Sequence, residues 1–179
     1  MGRDHRPQIA GGIYHIFTRG NRRDLIYRVD YDYDLFLLYL GDEIEKRGWN
    51  CLAYTLLPNH YHLLFETPEA NLSAGMQRLN LRWAKAFNRE YGLLGHVFQG
   101  RFGSRLIGDG RDLEGALRYV SRNPVNAGLC RDPADWSLCS YAELVGAGPP
   151  RWIVNLERLA ELLGCSVPEL PARMKRLVA

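Results

Sequence analysis

The run Leu57-Pro58-Asn59-His60-Tyr61-His62-Leu63-Leu64-Phe65-Glu66 constrains this chain more than any other stretch. Pro58 cannot donate to a sheet ladder and Asn59 suits turn geometry, so the pair punctuates the chain. Residues 49–57 before it and 60–66 after it match in length, which predicts an antiparallel hairpin closed at Pro58-Asn59. Side chains alternate across a strand. His60, His62, Leu64 and Glu66 therefore share one face, while Tyr61, Leu63 and Phe65 face a core. Two imidazoles two residues apart on a rigid strand can grip one divalent ion and leave positions open for substrate oxygens. The alternative is a pair of strand histidines packed in place, and the rest of the chain bears on the choice.

With 179 residues the chain can hold one domain with a core and a small appendage. An apolar fraction of 46% and a charged fraction of 24% exclude a disordered or membrane-embedded chain. The longest apolar run, Leu35 to Leu40, falls far short of the roughly 20 residues a membrane span needs. The first residues, Met-Gly-Arg-Asp-His-Arg-Pro, hold no apolar signal region, and Arg6 stands where a myristoylation site wants Ser or Thr. Cys51, Cys130, Cys139 and Cys165 form no CxxC pair and read as reduced, packed thiols of a cytoplasmic protein.

The net charge of +3 is unevenly placed. Six Arg between Arg3 and Arg28 face only Asp4 and Asp24. Residues 29–71 carry eight acids against Lys46 and Arg47, and residues 72–122 carry nine bases against four acids. The bases are 20 Arg and 3 Lys, and the planar guanidinium suits phosphate. Two basic zones around an acidic one suggest a nucleic-acid footprint.

The flanking chain completes a sheet. Gly11 to Phe17 reads as a first strand, followed by the basic loop Thr18-Arg19-Gly20-Asn21-Arg22-Arg23, able to wrap a phosphate. Asp30 is placed to cap a helix carried by Tyr33, Leu37, Leu40 and Ile44 and ended by Lys46-Arg47-Gly48. This acidic helix is expected to cover the sheet, away from nucleic acid. After the hairpin, a helix capped at Asn71 or Ser73 runs to about Tyr91, with Leu72, Met76, Leu79, Trp83 and Phe87 inward. Arg78, Arg82, Lys85 and Arg89 recur on another face without interleaved acids, a row suited to phosphate contact. The Gly-rich stretch 92–105 offers Arg101 and Arg105 to phosphate and two Phe to bases, and 105–107 reads as a fourth strand.

Arg111 to Arg122 reads as a third helix, stopped by Asn123-Pro124, with Leu113, Leu117 and Val120 inward. Tyr119 is placed on the face of Gly115, Ala116 and Asn123, where Gly115 clears space one turn away. Asn123 lies one turn beyond Tyr119, so amide and phenol can address one site. Residues 132–141 are expected to cap the core, Gly146-Ala147-Gly148-Pro149-Pro150 to form a linker, and Ser166-Val167-Pro168-Glu169 to open a short helix. The predicted division is a domain over 1–145 and a linker with short helical tail over 146–179.

This order predicts an α+β fold: a ferredoxin-like split βαβ with a central antiparallel sheet, helices on one face and a short helical C-terminal tail. Four segments then come in order: Tyr14-His15-Ile16-Phe17-Thr18-Arg19-Gly20-Asn21, Leu57-Pro58-Asn59-His60-Tyr61-His62-Leu63-Leu64, Gly95-His96-Val97-Phe98-Gln99-Gly100-Arg101-Phe102, and Tyr119 to Leu129. Together they resemble the single-tyrosine HUH transposases, with the REP-associated tyrosine transposases the nearest branch, over about residues 8 to 145.

The resemblance implies that His60 and His62 are the metal pair, Asn123 the third ligand and Tyr119 the nucleophile. It implies Mg²⁺ or Mn²⁺ as the cofactor and single-stranded or hairpin DNA, such as REP-like palindromes, as the substrate. The chemistry implied is cleavage and rejoining through a 5′-phosphotyrosine link. The setting implied is a prokaryotic cytoplasm, near the nucleoid, with a monomer or homodimer and no membrane. Tyr61, a rival nucleophile by sequence, points to the face opposite His60 and His62. Arg19, Asn21, Arg22, Arg23, Arg78, Arg82, Lys85, Arg89, Arg101 and Arg105 are the candidate DNA contacts. Two alternatives stay open: a site-specific nickase of replication-initiator type, and a catalytically silent DNA-binding domain.

Overall fold

The computed structural model describes residues 8–179; Arg3 and Arg6, counted above in the first basic zone, lie outside the described residues. The chain runs through β1 (Gly12–Arg19), α1 (Asp30–Arg47), β2 (Asn50–Leu57), β3 (His60–Thr67), α2 (Leu72–Tyr91), β4 (Gly103–Leu106) and α3 (Gly110–Asn126). The strands form one sheet in the order β2-β3-β1-β4, with each neighbouring pair antiparallel. β3 lies between β1 and β2, which is the split βαβ arrangement. Pro58-Asn59 closes the β2–β3 hairpin with Leu57 opposite His60.

Alternation along the strands creates two apolar layers. Tyr14, Ile16, Tyr61, Leu63 and Phe65 pack beneath α1 and α2, around Phe36, Leu40, Met76, Leu79 and Trp83. Leu52, Ala53 and Leu64 pack on the other side against Leu113, Ala116, Leu117 and Val120 of α3. A bulge in β2 pairs Cys51 with Phe65 and Ala53 with Leu64, and both Leu52 and Ala53 join the α3 layer. The expectation of helices on one face therefore holds for α1 and α2 only. The cause is Leu64 and its neighbours, which would otherwise leave an apolar face in water.

The tail continues this second layer through α4 (Ser140–Leu144), α5 (Leu156–Leu162) and α6 (Leu170–Val178). Arg158 holds Glu66 of β3 at 2.6 and 2.8 Å. Arg118 Nε and Arg122 Nη1 donate to the Leu177 and Val178 carbonyls at 2.6 and 3.0 Å. These bonds cap the C-terminal end of α6 and fix it to α3. The segment expected to cap the core lies along the outer edge of β2, where Trp136 Nε1 donates to Leu56 O at 2.9 Å and Leu56 N to Leu138 O at 3.0 Å.

Two helix ends differ from the sequence reading. Asp30 is the first residue of α1 rather than its cap; Asp32 Oδ2 instead accepts from the Arg28 and Val29 amides at 2.7 and 3.3 Å. Pro124 does not stop α3, which continues to Asn126. Proline removes the N–H that would bond the carbonyl of Val120. The Thr55 hydroxyl donates to that carbonyl at 2.8 Å, so the helix passes through the proline with no buried acceptor left open. The chain then turns out of the helix through Gly128, in the left-handed region at φ 71°. Among the described residues no helix is long and apolar enough to cross a membrane.

Candidate functional site

Two segments fix the histidine hairpin at its turn. Ile26 N donates to Pro58 O and Gly20 N to Asn59 O, both at 2.8 Å. A Cβ on Gly20 would stand 2.1 Å from the Asp24 carbonyl, so only glycine allows the basic loop to fold this tightly over the turn. Arg22 and Arg23 both take the left-handed region, at φ 53° and 66°, and Asn59 Nδ2 holds the Arg23 carbonyl at 3.1 Å. The loop is thus a shaped rim rather than a loose turn.

His60 and His62 share the face of β3 that Leu64 occupies, as alternation requires, with ring centroids 5.3 Å apart. Glu66, on the same face, is held by Arg158 and by Asn50 at 2.7 Å. A residue the sequence reading missed joins them: His15 of β1, whose Nε2 lies 2.9 Å from His62 Nδ1. Its signal was alternation within β1, which sends His15 and Phe17 to the side opposite Tyr14 and Ile16. That signal points to His62 only once β3 is known to lie beside β1.

The bond to Asn59 selects the tautomer of His60. Asn59 Oδ1 can only accept, so His60 Nδ1–H donates to it at 2.7 Å and His60 Nε2 keeps its lone pair. His62 keeps a free Nε2 lone pair in the tautomer whose Nδ1–H donates to His15. All three imidazoles are held neutral. Burial lowers His15 to about 4, with the Arg105 charge adding to it. Burial lowers His60 to about 4, aided by Arg19. Burial lowers His62 to about 3, with His15, His60 and Arg19 adding to it. A neutral imidazole with an oriented Nδ1–H is the form that ligates a metal.

Helix α3 brings Tyr119 and Asn123 to the same place. The Tyr119 ring stands edge-on to His62, with centroids 5.4 Å apart, and 5.5 Å from His15. It is 47% exposed, so its phenol is open to a ligand from solvent. Gly115, one turn earlier, leaves open space, while Ala116 turns inward with the apolar stripe. Asn123 is buried, and its Nδ2 donates to the Tyr119 carbonyl at 2.9 Å. That uses one of the two amide N–H groups and leaves Oδ1 as an acceptor or ligand. His60, His62, Tyr119 and Asn123 line one hollow of about 480 Å³, together with Arg19 and Arg101. Among the described residues no three His, Cys, Asp or Glu side chains gather to hold an ion. Asn123 Oδ1 lies in the same hollow, and two imidazoles with one amide oxygen form a donor set that could hold Mg²⁺ or Mn²⁺.

The other predicted cations divide. Arg19 and Arg101 line the hollow, and Asn21 and Lys85 line an adjoining groove with Arg101. Arg78 reaches back to the buried Glu43 of α1 at 2.7 Å. Arg82 pairs with Asp42 at 2.5 Å and lies 3.6 Å over the Tyr39 ring. The row on α2 is therefore not free of acids: α1, which packs beside it, supplies them. Arg105 is held by Asp112 at 2.6 Å. Arg22, Arg23 and Arg89 are exposed.

With this geometry in place, the comparisons with known proteins are consistent. A REP-associated tyrosine transposase of Escherichia coli is 28% identical over 154 residues, 83% of this chain and 87% of that protein. A candidate REP-associated tyrosine transposase of Haemophilus influenzae is 29% identical over 153 residues, 79% of this chain and 86% of that protein. The solved structure of a REP-associated tyrosine transposase bound to a REP hairpin shares the fold, with a TM-score of 0.69 and 24% identity over 85% of this chain and 91% of that one. The family model described as transposase, IS200-like, matches residues 9–123, a span that takes in the histidine pair, Tyr119 and Asn123. This chain belongs to the IS200-like transposase family.

Proposed function

We propose that the chain is a transposase that cleaves and rejoins single-stranded DNA beside a hairpin, through a covalent bond to Tyr119. The observation that carries this reading is the meeting of Tyr119 with His62 in one hollow, an exposed phenol 5.4 Å from an imidazole held neutral. Relatives named as transposases support the reaction class, and the solved relative bound to a REP hairpin supports the substrate.

His60 Nε2, His62 Nε2 and Asn123 Oδ1 would hold one Mg²⁺ or Mn²⁺. Bound there, the ion supplies positive charge that polarises the scissile phosphate. Arg19 and Arg101, lining the same hollow, hold and neutralise the strand on either side. The Tyr119 oxygen attacks phosphorus in line; the bond from phosphorus to the 3′ oxygen breaks, and that oxygen leaves as a 3′-hydroxyl. The 5′-phosphotyrosine keeps the energy of the broken diester. Attack by a second 3′-hydroxyl then rejoins the strands and returns a proton to the Tyr119 phenol.

The test uses labelled hairpin oligonucleotides from beside the gene, with Mn²⁺ or with chelator. The reading expects a fragment ending in a 3′-hydroxyl, and a joined product once a second strand with a free 3′ end is added, both lost with chelator. Tight binding with no cleaved product, across several flanking hairpins, would favour the silent DNA-binding domain.

A further inference from the structure

We propose that Phe17 is a stacking platform inside the catalytic hollow, on which one of the two nucleosides joined by the scissile phosphate lays its base flat, so that the phosphate is held in line with Tyr119. This rests on the DNA-cleavage reading of the hollow and adds a side chain that positions the reacting nucleotide whatever its base, without selecting a sequence.

Register is the first argument. Within the sheet Phe17 lies directly opposite His62 of β3 and opposite Gly103 of β4. Residues opposite one another in an antiparallel pair send their side chains to the same face, so the Phe17 ring and the His62 imidazole emerge side by side. Gly103 has no side chain there, and the ring takes that space: a Cβ on Gly103 would stand 2.4 Å from the Phe17 ring carbons Cε2 and Cζ. The ring centroid lies 6.2 Å from that of His62 and 5.5 Å from that of His15. Phe17 thus covers the sheet beside the histidine pair.

Chemistry is the second. Phe17 lines the hollow with His60, His62, Tyr119 and Asn123, and among the described residues it is the one side chain there that carries no polar atom. It is 43% exposed and joins neither apolar layer. The ring therefore adds little to the core, and it offers a flat apolar face where its neighbours offer charge or hydrogen bonds. A reacting nucleotide needs both, cations for its phosphate and an apolar plane for its base. Every base has a π-face, so an aromatic ring holds a strand without choosing its sequence. Rigidity is the third. β1 is an inner strand, paired with β3 on one side and β4 on the other, so the platform cannot shift relative to His62. A base fixed there keeps its phosphate oriented for attack.

The experiment places 2-aminopurine, a fluorescent adenine analogue quenched by stacking, at each flank position of a stem-loop oligonucleotide in turn, bound to Tyr119→Phe so that no covalent turnover occurs. One flank position should be quenched on binding. Adding Phe17→Leu, an exposed change that keeps an apolar side chain, should release that quenching several-fold, and Phe17→Trp should retain it. With Tyr119 intact, Phe17→Leu should slow adduct formation at limiting DNA by about 5–150-fold, the loss of one base–aromatic stack. Phe17→Trp should restore the rate, and Mn²⁺ affinity should not change. An abasic nucleotide at the quenched position should slow the native chain but not Phe17→Leu. Quenching that persists in Phe17→Leu at every position, or slowing that follows a loss of Mn²⁺ affinity, overturns the platform. If quenching depends on Phe17 but the native chain forms no adduct, the platform stands and the cleavage reading fails; adduct formation with no position that depends on Phe17 gives the reverse.

Discussion

His15 Nε2 stands 2.9 Å from His62 Nδ1, across the pairing of β1 with β3. In the tautomer whose Nδ1–H donates to His15, His62 turns a free Nε2 to a ligand, so a residue outside the predicted ligand set orients the ligand. His15→Phe keeps a ring of similar size and removes the hydrogen-bond partner. Mn²⁺ affinity, measured by calorimetry, should fall about 10–100-fold, the usual effect of losing such an orienting bond. His62→Ala should abolish binding. Unchanged affinity in His15→Phe would make His15 a packing residue only.

The three histidines also set an acid limit on stability. Their folded values lie near 4, 4 and 3, below the ordinary value of about 6.5. Between those values the unfolded chain binds more protons than the folded one, so stability rises with pH across that window. The contribution is fully present above about pH 6.5 and is lost as pH falls toward 4. Urea unfolding in chelator at several pH values checks this. Replacing His15 and His62 by Phe should flatten the dependence in that range.

Thr55 replaces the hydrogen bond that Pro124 denies to Val120. Thr55→Val keeps the shape and strands a buried carbonyl, at a cost of about 1–3 kcal/mol. Chemical denaturation should show that loss. In a Pro124→Ala background the amide returns and the loss should shrink, which a general packing defect would not do.

The cations on α2 should separate in salt titrations of DNA binding. Lys85 lines the groove, whereas Arg82 is held by Asp42 and Tyr39. For single strands each phosphate contact adds about 0.7 to the slope of log K against log salt. Lys85→Ala should lower the slope by about that much, and Arg82→Ala should leave it nearly unchanged. Equal effects would mean that Asp42 releases Arg82 to the DNA.

Much of this is legible in the sequence because it depends on local pattern. Pro58-Asn59 sets the hairpin, alternation sets the faces of His60 and His62, and the one-turn spacing sets Tyr119 beside Asn123. Apart from the cap of α1, where Asp32 takes the place expected of Asp30, the failures are non-local. Helical spacing shows that Arg78 and Arg82 share a face, but not that Asp42 and Glu43 of α1 lie against it. Pro124 reads as a helix stop until Thr55, far away in the chain, is seen to satisfy Val120. Alternation places His15 on a face, and only sheet order places it on His62. The β2 bulge, which sends Leu52 and Ala53 to α3 together, leaves no mark in periodicity, so the second helix layer is not legible in β2.

The central claim is that Tyr119 forms a covalent bond to DNA at the site of His60, His62 and Asn123. The most direct measurement is a denaturing gel of the protein with labelled hairpin DNA and Mn²⁺, with the adduct digested and its modified peptide sequenced by mass spectrometry. The account predicts a metal-dependent adduct on the peptide containing Tyr119, absent from Tyr119→Phe and from His62→Ala. An adduct that survives Tyr119→Phe, or that maps to another tyrosine, would contradict it.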